Sequence, residues 1–255
     1  MEYLYGIILF VFGVVLGSFY NVVCYRLPLK KSLIKPGSHC PKCKKPLSFW
    51  ELIPLFSYIF QRGKCKKCGA KISVVYPLVE LSTGILFLIS YLIFGLNLEL
   101  ITSLIFVSLV VIVFVTDIKE MIVLDEVIGI SLVFLVIIRL IIGYNWLDLT
   151  LDLIIPFLLM FLIKIFGDHC FKKESMGGGD IKLMPVFGVL LGYKTAFIVI
   201  GFGAFLAFPI ALLFLFIKKQ RIIPFGPFLS LAALILYFTQ VDFEKIVTWL
   251  VMIGG

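Results

Sequence analysis

Two groups of residues in this chain have types and spacing suited to chemistry: a pair of aspartates at the edges of apolar runs, and four cysteines in two close pairs. Asp117 ends the apolar run Leu98 to Thr116, and Asp180 closes Gly177-Gly178-Gly179-Asp180 ahead of another. Two carboxylates brought to hydrogen-bonding distance cannot both ionise easily, so one holds a proton while the other polarises water for attack on a peptide carbonyl. Glycines beside such a carboxylate let an extended substrate backbone come close and leave the loop free to close over a peptide. Caps and turns use the same residues. Glu120, Asp125, Glu126, Asp168 and Glu174 share the two loops, so residue chemistry alone leaves the choice of pair open. Lys119 and Lys182 each follow an aspartate by two positions, where a cation either favours the ionised carboxylate or merely marks a cytoplasmic loop.

The cysteines form Cys40-Pro41-Lys42-Cys43 and Cys65-Lys66-Lys67-Cys68, two C-x-x-C pairs with 21 residues between them. Two intervening residues let both thiolates of a pair reach one ion, and four sulfurs complete a closed tetrahedral zinc shell, which is structural rather than catalytic. Disulfides and iron–sulfur ligation are the alternatives, the first disfavoured by a reducing cytosol. So polar a loop draws much of its folding free energy from the metal. Cys24 and Cys170 have no partners at metal spacing and read as small buried side chains.

These residues must be held by membrane-spanning elements. Of the 255 residues, 62% are hydrophobic and the mean hydropathy is +1.15, beyond the roughly 45–50% apolar content of soluble domains. Apolar runs of spanning length are Tyr3–Val23, Val74–Phe94, Leu98–Thr116, Val127–Ile142, Leu149–Phe166, Thr195–Ile217 and Ile222–Phe238. The expected fold is an all-α polytopic membrane protein of about eight transmembrane helices, with residues 26–73 as a small cytosolic zinc-ribbon-like loop between the first two. Of 23 basic residues, 12 lie between Arg26 and Lys71 beside one acid, Glu51, which places that loop in the cytoplasm and the amino terminus outside. Successive crossings put Asp117–Glu126 and Gly167–Asp180 on the cytoplasmic side, and the loops Gly95–Asn97 and Gly143–Asp148, without Lys or Arg, outside. Ile181–Gly192 is short for a span and suits a half-helix, but it is counted as an eighth crossing because Lys218, Lys219 and Arg221 otherwise fall outside. Tyr3–Val23 lacks a preceding cation and a small-residue cleavage signal, so it reads as a retained helix.

Several stretches together resemble the type IV prepilin peptidases, membrane aspartic proteases of the G-x-G-D class that also act as N-methyltransferases. They are Gly17-Ser18-Phe19-Tyr20-Asn21-Val22-Val23-Cys24-Tyr25-Arg26-Leu27-Pro28, the cysteine pairs, Ile53-Pro54-Leu55-Phe56-Ser57, Tyr76-Pro77-Leu78-Val79-Glu80-Leu81, Gly177-Gly178-Gly179-Asp180-Ile181-Lys182-Leu183 and Ile223-Pro224-Phe225-Gly226-Pro227-Phe228. The resemblance implies that Asp117 and Asp180 are the catalytic pair, with Asp125, Lys182, Gly177, Gly178 and Gly179 in support. Leu52, Val75 and Leu124 depart from the family's usual Asn, Arg and Pro, which bears on fine contacts rather than on the pair. It implies residues 1–25 as a first helix, 26–73 as a methyltransferase-associated loop holding Zn2+ on Cys40, Cys43, Cys65 and Cys68, and 74–255 as the peptidase core. The implied substrate is a prepilin or pseudopilin cut after Gly at the cytoplasmic face of a bacterial inner membrane and then methylated with S-adenosylmethionine. No G-x-G-x-x-G follows a strand, so the methyl-donor site is left open, with Glu51 and Glu80 as candidates for meeting cationic groups on leader or cofactor.

Three other readings compete. A peptidase without methylation keeps the aspartates alone, and a proton-coupled transporter needs acids deep inside spans rather than at their ends. A nucleic-acid-binding zinc module explains the basic loop, but positive-inside topology and anionic lipid explain that charge with fewer assumptions, so no nucleic-acid partner is expected.

Overall fold

A computed structural model of the chain describes residues 2–218 and 223–254; Lys219, Arg221 and Ile222, used above in tracing the spans, lie outside the described residues. Eleven helices are described: α1 (Glu2–Arg26), α2 (Phe49–Leu52), α3 (Phe56–Phe60), α4 (Val75–Phe94), α5 (Leu98–Glu120), α6 (Asp125–Ile141), α7 (Trp146–Phe171), α8 (Gly178–Leu191), α9 (Tyr193–Lys218), α10 (Gly226–Thr239) and α11 (Phe243–Gly254). No strand forms among the described residues, only isolated bridges at His39–Pro46 and Lys64–Lys71.

Five helices, α1, α4, α5, α7 and α9, are long and apolar enough to cross a membrane, and α10 with α11 makes a sixth if that pair, bent by 76°, is one span. This is a multi-pass membrane protein. All eight apolar runs of the sequence are helices, but the count of eight crossings is approximate. At 14 residues α8 is about 21 Å long, short of the ~30 Å hydrocarbon layer. Its side chains explain the shortfall. Ile181, Leu183, Met184, Val186, Phe187, Val189 and Leu190 are all buried, so the helix is apolar all round and enclosed by protein rather than lipid.

The chain divides into two compact units, Met1–Ile112 and Val113–Gly255, the boundary falling inside α5. In the first, α1 packs along α4. Gly13 and Gly17, one turn apart on α1, allow close approach: a Cβ on Gly13 would lie 2.8 Å from the Thr83 carbonyl, and one on Gly17 2.8 Å from the Glu80 Cα. The Tyr20 hydroxyl meets the Ser108 hydroxyl at 2.5 Å. In the second unit α8 is central, packed against α6, α7, α9 and α10. Cys24 is buried as expected, but Cys170 is exposed, because it lies on the last turn of α7 beyond the apolar run.

Candidate active site and metal centre

Asp117 lies one turn before the end of α5 and Asp180 in the first turn of α8; each is only 6% exposed. Gly226, the first residue of α10, lies between them. Its backbone lies against the Asp117 carboxylate. A Cβ placed on it would stand 2.5 Å from an Asp117 carboxylate oxygen and 3.2 Å from an Asp180 one, so both carboxylates converge on this glycine. Three segments remote in sequence therefore build one acidic pocket.

The other acids of these loops are engaged elsewhere or exposed. Asp125 is paired with Lys182 at 2.7 Å in an exposed bridge tying the start of α6 to the start of α8. Asp168 accepts from the Ser175 amide and hydroxyl, Glu174 pairs with Lys164, Glu120 pairs with Lys119, and Glu126 is exposed. Geometry separates Asp117 and Asp180 from all of them. The glycine run divides in role. A Cβ on Gly179 would lie 2.6 Å from the Val123 side chain, so this glycine serves packing against the loop after α5 rather than room for a peptide. A Cβ on Gly178 would meet nothing within 4 Å.

The far end of α8 is fastened by residues the sequence reading passed over. Arg139 on α6 donates through Nε to the Val189 carbonyl at 3.2 Å and through Nη2 to that of Leu190 at 2.9 Å, capping α8. Asp152, 3% exposed on α7, accepts from the Tyr144 hydroxyl at 3.0 Å and from the Tyr193 amide at 2.7 Å, fixing the corner where α8 turns at Gly192 into α9. Pro156 lacks the amide that would bond the Asp152 carbonyl, and Gly188 packs against that carbonyl. A charged residue inside each of two apolar runs was the available signal.

The four cysteine sulfurs lie within 4.8 Å of one another, with Cys40–Cys68 at 3.8 Å and Cys43–Cys65 at 3.9 Å. A tetrahedral zinc shell with ~2.3 Å bonds requires sulfurs about 3.8 Å apart, so the set fits. The two pairs are copies of one turn. The Cys40 amide donates to the Lys45 carbonyl and the Cys65 amide to that of Ala70, each at 2.9 Å. The residue after each second cysteine has positive φ, Lys44 at 57° and Gly69 at 68°. Backbone amides of Cys43 and Lys42 hold the Cys40 thiol well below its ordinary range, to about 6, and those of Cys68 and Lys67 lower Cys65. Such donors suit thiolates that bind a cation.

Glu51 and Glu80 are both held by the chain itself. The Ser48 amide, then the Lys45 ammonium 2.9 Å away, pull Glu51 down to about 2. Glu80 accepts the Leu55 amide at 2.8 Å and so pins a residue with φ of 60° at the Pro54 turn. Their carboxylates organise the loop.

Residues 104–217 match the model of the type IV leader peptidase family, and residues 11–94 that of the bacterial peptidase A24 N-terminal domain. The chain is 39% identical over 235 residues to a prepilin leader peptidase/N-methyltransferase of Bacillus subtilis, covering 90% of this chain and 92% of that protein. It is 32% identical over 259 residues to one of Vibrio cholerae (94% and 98% covered), and 30% identical over 265 residues to one of Neisseria gonorrhoeae (94% and 92% covered). No solved structure matches.

Proposed function

This chain belongs to the type IV leader peptidase family, and from that premise we propose that Asp117 and Asp180 are the proton-sharing pair with which it cleaves prepilin leaders. It is an enzyme with peptidase and N-methyltransferase activity. The convergence of the two carboxylates on Gly226 carries the site reading. The ionised carboxylate takes a proton from water as its oxygen attacks the scissile carbonyl, and the protonated one donates to the carbonyl oxygen. Collapse of the tetrahedral adduct returns a proton to the leaving nitrogen. Gly226, lacking a side chain, lets both carboxylates close on it, while Gly179 against Val123 and the Asp125–Lys182 bridge set the start of α8.

The substrate is a prepilin or pseudopilin precursor cut after Gly, in a bacterial inner membrane, with the amino terminus outside and residues 26–73 in the cytoplasm; the basic excess of that loop supports the orientation. Cys40, Cys43, Cys65 and Cys68 hold Zn2+, which ties the loop into one shape without taking part in bond breaking. S-adenosylmethionine, when bound, would supply the methyl group for the new terminal amine, and no step is assigned to Glu51 or Glu80. The test is cleavage of a purified prepilin by Asp117→Asn and Asp180→Asn proteins. Either variant retaining wild-type cleavage overturns the pair, and an unmethylated product terminus by mass spectrometry removes the second activity.

A further inference from the structure

Five large apolar side chains crowd the short segment carrying α2 and α3, and all face away from the protein: Phe49, Trp50, Phe56, Ile59 and Phe60 are 61–80% exposed. Glu51 and Tyr58 among them turn inward. Glu51 is buried on Lys45 and Ser48, and Tyr58 packs against Gly63. In a loop bathed by water, such a patch is a liability rather than a resting state.

The structure also fixes the depth of this segment. The Leu55 amide, immediately before α3, is bonded to Glu80, five residues into the spanning helix α4. At 1.5 Å per residue, that is about 7 Å inside the start of the helix, so the residue that leads into α3 sits beside the first turns of a span. Asn21 of α1 donates to the Tyr76 carbonyl and ties the two spans together at the same end. The aromatic patch is thus level with the border of the apolar layer. Around it in sequence stand Lys44, Lys45, Arg62, Lys64, Lys66 and Lys67, with Glu51 the one acid of residues 26–73.

We propose that α2 and α3 form an interfacial anchor: the five apolar side chains enter the boundary between headgroups and acyl chains, and the adjacent cations meet anionic lipid headgroups. An amphipathic segment with Trp and Phe on one side and Lys and Arg beside it is what that boundary attracts. Tryptophan in particular favours this zone. Lipid rather than a protein partner is the occupant because the segment is already held at membrane depth by Glu80. This inference rests on the membrane-spanning helices and not on either enzymatic activity.

The test uses the full-length protein with Trp146→Phe and Trp249→Phe, leaving Trp50 as its one tryptophan, in vesicles of phosphatidylcholine and phosphatidylglycerol. Lipids brominated near the top of the acyl chain should quench Trp50 at least about twofold, and lipids brominated near the bilayer centre less, with weak quenching by aqueous acrylamide. Trp50 that is open to acrylamide and insensitive to bromine overturns the proposal. So does protection that appears only when a prepilin is added, which assigns the patch to substrate. Hydrogen exchange on the unmodified chain puts the same question without substitutions. The peptide spanning residues 49–60 should exchange more slowly in anionic than in zwitterionic nanodiscs, and equal, fast exchange in both overturns the proposal.

Discussion

The cysteine loop and the aspartate pocket solve opposite assembly problems. The loop makes its site from one turn used twice within 29 residues, Cys40 to Cys68, each copy positioning its own sulfurs through the same backbone bonds. The pocket takes one residue each from α5, α8 and α10, and no two of its parts approach until the helices pack. The first site is therefore tied to local backbone geometry and to its metal, the second to where a buried helix comes to rest. Damage to the loop should stay local, whereas damage to the pocket can come from far away.

The largest expected effect is at the pocket itself. Asp117→Asn or Asp180→Asn should lower prepilin cleavage by at least about 10³-fold while leaving zinc content unchanged. Metal analysis alongside an electrophoretic cleavage assay checks this. Removing zinc with a chelator should then unfold the loop alone, because a structural site of this kind contributes on the order of 10 kcal/mol to its own fold. Limited proteolysis should open the lysines of residues 40–71 and spare α7 to α10; cuts appearing in those helices break the comparison.

Gly226→Ala forces a Cβ to within 2.5 Å of the Asp117 carboxylate and should cost roughly 10²-fold in kcat, with the fold retained by circular dichroism. A sharper probe of action at a distance is Asp152→Ala, which leaves the Tyr193 amide and the Tyr144 hydroxyl without their buried acceptor. That loss is worth about 1–3 kcal/mol. Cleavage should fall about tenfold through kcat rather than KM, with Asp152→Asn milder because it keeps one acceptor oxygen. Equal kcat in Asp152→Ala and wild type refutes the idea that α8 is set from its far end.

The smallest effect separates the two turns of the loop. Gly69→Ala places a Cβ at φ of 68° and should destabilise the zinc-bound loop by about 1 kcal/mol, whereas Lys44→Gly relieves the same conformation in the other copy and should stabilise it slightly. Competitive zinc titration measures both.

The same contrast decides what could be read in advance. Spacing alone exposed the four-cysteine cluster, since two C-x-x-C pairs carry their geometry in the sequence. Apolar length likewise located the seven long runs as helices among the described residues. The aspartates were visible as candidates: residue chemistry left Asp125 beside Asp117, the resemblance preferred Asp117, and the structure adds the ion pair that engages Asp125 with Lys182. Gly226 stood in a motif without a role, because a glycine's function lies in what its missing side chain would strike. Arg139 and Asp152 were hidden inside runs scored for hydropathy, where one charge in some twenty residues barely changes the average. The short helices α2, α3 and α11 lie below the lengths that apolar runs reveal.

The brevity of α8 has a consequence for the supply of the second reactant. Every bond cut consumes a water molecule, and lipid is a poor source of it. A helix of full membrane length in this position would need a dedicated channel to bring water to its interior. At about 21 Å, α8 is shorter than the ~30 Å layer, with Asp180 in its first turn and, at the end of α5, Asp117 within a turn of the exposed charges of Lys119 and Glu120. A short helix thus leaves its Asp180 end near charges that meet water, while its flanks are packed against neighbouring helices.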